Sequence, residues 1–184
     1  LNPLHTALAI FGCLLKYKSI SDEMNDILLK KLVEKLGYDE GMPVVVNPGI
    51  IDPAAFIKEV IESRFANPFI PDTPQRIATD TSQKLSVRFG ETIKSYIRHP
   101  DLNPADLIYI PLVQAGWCRY LLELDDDGNK MALSPDPMLE SMQSFLTGVR
   151  LGDVNSCEGC LKPILSNEKV FGLNLYEAGL GEKV

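Results

Sequence analysis

Several prolines in this chain directly follow a residue whose side chain can cap a helix, and five of these pairs mark predicted helix starts. The five pairs are Asn2-Pro3, Asp52-Pro53, Thr73-Pro74, Asn103-Pro104 and Asp136-Pro137. A capping oxygen accepts a hydrogen bond from the first helical turn, and a proline at the first helical position lacks only an N–H that would have no acceptor there. The pairs therefore predict repeated helix starts and favour a chain built from many helices.

Apolar spacing agrees with helices. The stretch from Pro3 to Lys16 is apolar nearly all round, which predicts a helix buried on most sides. A long helix ending before Pro100 is predicted from apolar positions at Ile77, Leu85, Phe89 and Ile93. Residues 43–47, with three valines, are the one stretch that favours a strand. We predict a mainly α, multi-helical fold, with residues 1–184 forming one domain around one core.

Bulk properties restrict the partners. The net charge is −7, which disfavours a nucleic acid or an anionic membrane as partner. The apolar run over residues 4–15 is too short to span a membrane. Four cysteines, two of them inside apolar runs, favour a reducing, cytoplasmic setting. There is no initiator methionine, and the first residues resemble the interior of a domain, so we expect a fragment of a longer protein.

Asn2 and His5 are candidate ligand-binding residues at the start of the first helix. Residues three apart share a helix face, so the two side chains could hydrogen-bond one substrate oxygen. The positive end of the helix dipole would keep the imidazole neutral. The alternative is that Asn2 is only a cap and His5 only a core histidine.

Arg76, Asp80 and Lys84 recur at steps of four, which on one helix makes a stripe of alternating charge. The two cations could bind oxygens of an anionic or polyhydroxylated ligand, with Asp80 holding one of them in place. The alternative is a solvated helix face, because exposed ion pairs at this spacing stabilise a helix by roughly 0.2–0.5 kcal/mol each.

Other motifs give no indication of a metal, redox or nucleotide site. Cys157 and Cys160 form a single C-x-x-C without further ligands at metal-site spacing, so we predict no metal site and no redox pair. The chain has no G-x-G-x-x-G and no P-loop, which predicts that it holds no nucleotide site of its own.

Three motifs together resemble a known family. They are LNPLHTALAIFG at 1–12, RFANPFIPDTPQRI at 64–77, and the spaced set Arg76, Asp80, Ser82 and Lys84. In this order they are similar to the C-terminal domain of the mannitol dehydrogenase family, a group of polyol-specific long-chain dehydrogenases. The resemblance is strongest from Leu1 to Tyr96.

The resemblance implies a two-domain enzyme. Its helical C-terminal domain would have a fold like that of the 6-phosphogluconate dehydrogenase C-terminal domain. An N-terminal Rossmann domain, absent from this chain, would bind NAD or NADP, and no metal would be needed. A general acid/base lysine would lie five residues before Asn2, outside the chain.

The resemblance also implies site residues. Asn2 would polarise the reacting carbonyl, His5 would bind and orient the substrate, and Arg76 and Lys84 would make further substrate contacts. Asp80 and Ser82 would shape the helix.

The predicted function is the substrate-binding and catalytic domain of an NAD(P)-dependent oxidoreductase. It would interconvert a 2-ketose or keto-uronate with its polyol or aldonate, and Arg76 favours fructuronate/mannonate over fructose/mannitol. The chain alone would be inactive. The alternative is a non-catalytic helical domain that docks another protein through its charged stripe.

Overall fold

The computed structural model describes residues 1–157 and 159–184, and helices make up the regular structure of this part of the chain. The helices are α1 (Asn2–Leu14), α2 (Ile20–Glu23), α3 (Ile27–Lys35), α4 (Pro53–Glu59), α5 (Pro74–Ala78), α6 (Thr81–Leu85), α7 (Glu91–Arg98), α8 (Tyr109–Tyr120), α9 (Leu139–Ser144), α10 (Leu161–Leu165) and α11 (Glu168–Phe171). The predicted helical fold class is confirmed.

The strand predicted at residues 43–47 is wrong. Met42–Val44 form one 3-10 turn, and within residues 1–157 and 159–184 the one β-type pairing is an isolated bridge between Leu124 and Lys130. A short valine run forms a strand only where another strand can pair with it, and the described residues supply none.

The chain divides into two compact units, Leu1–Ala78 and Thr79–Val184. The first contains α1 to α5, and the second contains α6 to α11. The single domain over residues 1–184 stays a prediction.

In the first unit, α1 is buried on most of its surface, as its all-round apolar sequence predicts. Leu8, Ala9 and Ile10 are each fully buried, and α1 packs against α3 and α5. Gly12 allows a close approach, because an added Cβ would overlap the carboxyl group of Glu23.

Three of the α-helices continue into a π-helical turn. The turns are Leu36–Gly41 after α3, Val60–Phe65 after α4, and Ser86–Gly90 between α6 and α7. Because the last of these joins α6 to α7 without a break, residues 81–98 run as one helical segment, and the apolar positions Leu85, Phe89 and Ile93 are fully buried.

The second unit has its core around the long helix α8. Trp117 of α8 meets Phe171 of α11 edge to face, with ring centroids 5.7 Å apart and an interplanar angle of 84°. Gly90 lies against the same α11, where an added Cβ would overlap the carbonyl oxygen of Phe171. The buried rings and this close backbone approach fix α11 in its unit.

Among the described residues, no helix combines the length and the apolar character that crossing a membrane requires.

Candidate functional site

The N-terminal turn of α1 presents Asn2 and His5. The helix begins at Asn2 with Leu1 in the cap position, and the backbone N–H of His5 donates to the carbonyl oxygen of Leu1 at 3.1 Å. The prediction that Asn2 caps the helix is therefore wrong. Pro3 at the second position is tolerated because N–H groups of the first turn have no acceptor within the helix. Asn2 is exposed and His5 is half-buried, three residues further along the same helix.

His5 lies between an aromatic ring and a carboxylate. Its imidazole stacks on Phe65 with centroids 5.2 Å apart and an interplanar angle of 30°. Its Nε2 atom is 3.4 Å from Oδ2 of Asp72. The stacking limits rotation of the ring, and the carboxylate favours the tautomer that carries its proton on Nε2. The orientation of His5 is thus set by residues more than fifty positions away in sequence.

Arg76 is held by the same carboxylate. Its Nη2 atom pairs with Oδ1 of Asp72, and the side chains are 61% and 18% exposed, respectively. The backbone places Arg76 in α5, where its N–H donates to Oγ1 of Thr73 at 3.2 Å, so Thr73 caps the helix as predicted. The guanidinium is therefore anchored at one end while most of it remains accessible.

Asp72 is the residue that the sequence reasoning missed. One of its oxygens faces His5 and the other binds Arg76, so it joins two residues that were predicted separately. Its backbone is also fixed, because its carbonyl oxygen accepts from the N–H of Ile20 at 3.0 Å. The available signal was its position four residues before Arg76, the same spacing that drew attention to Asp80.

The prediction of one charged stripe through Arg76, Asp80 and Lys84 is wrong. Helix α5 ends at Ala78 and α6 begins at Thr81. Asp80 lies between them in the left-handed region, with φ 55° and ψ 34°. Aspartate is one of the few non-glycine residues that adopts this conformation readily. The helical period therefore stops at this turn, and the three residues do not share a helix face.

Lys84 belongs to the second unit, in α6, and is half-buried. Its ammonium donates a hydrogen bond to the carbonyl oxygen of Thr79. Ser82 is fully buried and donates from both its backbone N–H and its hydroxyl to the carboxylate of Asp136. Ser82 thus shapes the helix, as the sequence suggested, and Asp136 was not foreseen as its partner.

The four cysteines are free thiols. Cys13 and Cys118 are buried, and burial raises the pKa of each thiol to about 12. Cys157 and Cys160 are half-buried. Within the described part of the chain, no group of three His, Cys, Asp or Glu side chains could hold a metal ion.

Taken by itself, the first unit offers a fixed imidazole, an accessible guanidinium and an exposed amide. The second unit offers a half-buried ammonium. All four are donors suited to oxygen atoms, and the guanidinium is suited to a carboxylate because it can donate two parallel hydrogen bonds. Donors of these kinds are typical of sites for polyhydroxylated or acidic small molecules.

Comparison with known families identifies the family of the chain. Residues 1–183 match the family described as the mannitol dehydrogenase C-terminal domain. The chain belongs to this family. The resemblance inferred from the three sequence motifs is confirmed over almost the whole chain.

This mannitol dehydrogenase domain is similar in sequence to two D-mannonate oxidoreductases. A D-mannonate oxidoreductase of Thermotoga maritima is 64% identical over 184 residues, which are 100% of the chain and 34% of that protein. A D-mannonate oxidoreductase of Escherichia coli is 32% identical over 145 residues, which are 79% of the chain and 29% of that protein.

A solved structure shows the same fold. The ternary complex of Pseudomonas fluorescens mannitol 2-dehydrogenase with NAD and D-mannitol superposes with a TM-score of 0.83 at 24% identity, covering 100% of the chain and 35% of that protein. The mannitol dehydrogenase domain described here therefore spans about one third of the length of these proteins.

Proposed function

We propose that the chain is the substrate-binding and catalytic part of an NAD(P)-dependent oxidoreductase that interconverts a keto-uronate with its aldonate, fructuronate/mannonate being favoured over fructose/mannitol. The observation that carries this proposal is the 64% identity, along all 184 residues, to a protein named D-mannonate oxidoreductase. The accessible guanidinium of Arg76 supports the choice of an acidic sugar, because a planar carboxylate is its best partner.

The four predicted residues are proposed to act at different points of the substrate. Reduction of a ketone builds negative charge on its oxygen, and donors aimed at that oxygen stabilise it. Asn2 and His5, one turn apart at the start of α1, would take this role. Arg76 would bind the substrate carboxylate, and Lys84 would bind a substrate hydroxyl.

Asp72 would keep two of these groups in place. The positions of the His5 ring and of the Arg76 guanidinium both depend on its two oxygens. Arg76 has five N–H donors, so the bond from Nη2 to Asp72 uses only part of its capacity. A substrate carboxylate can then bind without displacing Asp72.

The cofactor, NAD or NADP, supplies or accepts the hydride. Dinucleotide sites are built on a parallel sheet with a glycine-rich turn, and residues 1–157 and 159–184 form no sheet. We therefore assign no residue of this chain to the cofactor, which an N-terminal Rossmann domain would bind. The proton would come from the lysine expected upstream of Asn2.

No observation favours the alternative of a protein-docking domain. That alternative depended on a continuous charged stripe, and α5 and α6 are separate helices with a left-handed turn at Asp80 between them.

The test is turnover by the full-length protein. NADH and NADPH oxidation is measured with D-fructuronate, D-tagaturonate and D-fructose, and we expect D-fructuronate to have the highest kcat/KM. No turnover of any of the three, by a folded protein that binds the cofactor, would discard the substrate class.

Variants of the full-length protein test the residue roles. Arg76→Ala should lower kcat/KM for D-fructuronate by about 10²-fold and for D-fructose much less, because only the former has a carboxylate. Arg98→Ala, an exposed arginine on α7, is the matched control. Equal losses for both sugars would refute the role in carboxylate binding.

His5→Ala and Lys84→Ala should each lower turnover by roughly 10²-fold or more while the unfolding temperature changes little. Near-normal rates in both variants would refute the site assignment.

A further inference from the structure

The start of α6 is held by a side chain 54 positions further along the chain. Oδ2 of Asp136 accepts from the backbone N–H of Ser82 at 2.7 Å, and Oδ1 accepts from the Ser82 hydroxyl. Ser82 is fully buried, so both of its donors need an acceptor within the protein. Asp136 therefore caps the helix and also satisfies a buried hydroxyl group.

The turn before α6 is fixed by the same segment. The N–H of Asp80 donates to the carbonyl oxygen of Pro135 at 2.8 Å. Asp80 has left-handed φ and ψ angles of 55° and 34°, a conformation that persists in L-residues only where neighbouring contacts hold it. The turn is thus held at Asp80 by Pro135 and at Ser82 by Asp136.

Lys84 is tied to this turn. Its ammonium donates to the carbonyl oxygen of Thr79, the residue before Asp80. Lys84 lies in α6, and Asp136 caps the N-terminal end of this helix. The Cα position of Lys84 and the hydrogen bond of its ammonium therefore both depend on the geometry of residues 79–82.

The segment 134–138 has its own anchor in the core of the unit. The N–H of Ser134 donates to the phenolic oxygen of Tyr120 at 2.8 Å, and both residues are buried. Oδ1 of Asp136 also accepts from the N–H of Met138 at 2.9 Å. The loop is thus anchored on α8 through Ser134, and the Asp136 carboxylate is oriented by the Met138 N–H, which allows it to act as a rigid support.

We propose that Asp136 is a positioning residue for Lys84: it fixes the turn at residues 79–82 and thereby the place from which the Lys84 ammonium meets the substrate. This inference rests on the proposed function, in which Lys84 contacts the substrate. Removing the carboxylate leaves two buried donors of Ser82 unsatisfied and releases the turn. Because misplacing a contacting group by about 1 Å can lower a rate by about 10²-fold, the effect on turnover should be large.

The first arm of the test is a double-mutant cycle in the full-length enzyme. Asp136→Ala should lower kcat/KM by about tenfold or more when Lys84 is present, and by less than about twofold in a Lys84→Ala background. A residue with only a structural role would cause the same loss in both backgrounds, and that result would overturn the proposal.

Two further variants complete this arm. Asp136→Asn should recover part of the activity. Its amide oxygen can accept from the Ser82 N–H and its amide nitrogen can donate to the Ser82 hydroxyl, but that nitrogen cannot accept from the Met138 N–H. Asp126→Ala, which removes an exposed aspartate from the 125–129 turn, is the matched control and should behave like the wild type. Failure of Asp136→Asn to exceed Asp136→Ala would contradict the hydrogen-bonding argument.

The second arm does not require turnover. The rate at which an amine reagent labels Lys84 in the full-length protein is measured by mass spectrometry, with Lys94 on α7 as the internal reference. Asp136→Ala should raise the rate at Lys84 about threefold or more and leave Lys94 unchanged. If the wild type turns over none of the sugars, the proposed function fails while this arm still decides the positioning role. An unchanged rate at Lys84 would overturn it.

Discussion

Glu23 is a buried carboxyl group in the first unit, and replacing it with glutamine should change how stability depends on pH. Glu23 is fully buried beside Gly12 of α1. Within residues 1–157 and 159–184, neither of its carboxyl oxygens has a hydrogen-bond partner. Burial, with a smaller contribution from the Asp22 carboxylate, raises the pKa of Glu23 from 4.5 to about 9. The group is therefore protonated in the folded protein at neutral pH.

The sign of the effect follows from the raised pKa. The folded state keeps the proton up to about pH 9, whereas the unfolded chain loses it above pH 4.5. The contribution of Glu23 to the stability of the folded state is therefore fully present below pH 4.5 and is lost as the pH rises towards 9. Each pH unit inside this window costs about 1.4 kcal/mol, so the contribution of Glu23 to the free energy of unfolding should fall by about 3 kcal/mol from pH 6 to pH 8.

Glu23→Gln removes this dependence because an amide does not titrate. The two proteins should be similarly stable near pH 5, and the variant should be more stable by about 3 kcal/mol or more at pH 8. Since whole proteins of this size are stable by only about 5–15 kcal/mol, the difference is easily measured.

The assay is urea unfolding followed by circular dichroism at several pH values. The difference between variant and wild type cancels the titration of all other groups. Glu59→Gln, an exposed glutamate on α4 in the same unit, serves as the control and should leave the curve unchanged. Parallel curves for wild type and Glu23→Gln between pH 6 and pH 8 would refute the reasoning, because they would mean that the carboxyl group titrates as it does in water.

Three further predictions concern close packing, thiols and the candidate site. Gly90→Ala should destabilise the protein by more than about 1 kcal/mol in urea unfolding, because its Cβ would overlap the Phe171 carbonyl oxygen. Gly41→Ala, with its nearest atom at 3.4 Å, should be neutral or slightly stabilising; equal effects would contradict the packing argument. A thiol reagent, with labelled peptides identified by mass spectrometry, should modify the half-buried cysteines within minutes and the buried pair, whose pKa values are raised to about 12, only after unfolding. The half-buried cysteines are Cys157 and Cys160, and the buried pair is Cys13 and Cys118. Fast labelling of either buried thiol would contradict the described core. If the proposed function holds, Asp72→Asn in the full-length protein should lower kcat/KM by about tenfold, because the fixed positions of both its partners are lost. The exposed Asp39→Asn is the control, and an unchanged kcat/KM in Asp72→Asn would show that the carboxylate does not position them.

Three of the five predicted caps, at Asp52, Thr73 and Asn103, are confirmed, because a cap acts over two or three residues. Asp52 accepts from the N–H of Ala55 at 3.1 Å, and Asn103 accepts from the N–H of Ala105 at 3.0 Å. Both bonds lie inside a local segment, so the residue types at those positions are sufficient to predict them. The burial of α1 could also be predicted, since a helix that is apolar on all sides has no polar face to expose to solvent.

Only part of the candidate site could be predicted from sequence. The motifs pointed to Asn2, His5, Arg76 and Lys84, and the periodicity suggested that the last two share a helix with Asp80. A step of four residues places side chains together only while the backbone stays helical. The left-handed turn at Asp80 ends the helix, and the spacing alone contained no sign of it.

Two carboxylates that hold candidate residues could be identified only from the folded chain. Asp72 joins His5 to Arg76, and Asp136 holds Ser82 across 54 positions. Local chemistry in the sequence fixes where helices begin and which of their faces are apolar, because those free energies arise within a few residues. Which carboxylate meets which donor depends on how distant segments pack, and that is set by the combined burial of many side chains rather than by any one stretch of sequence.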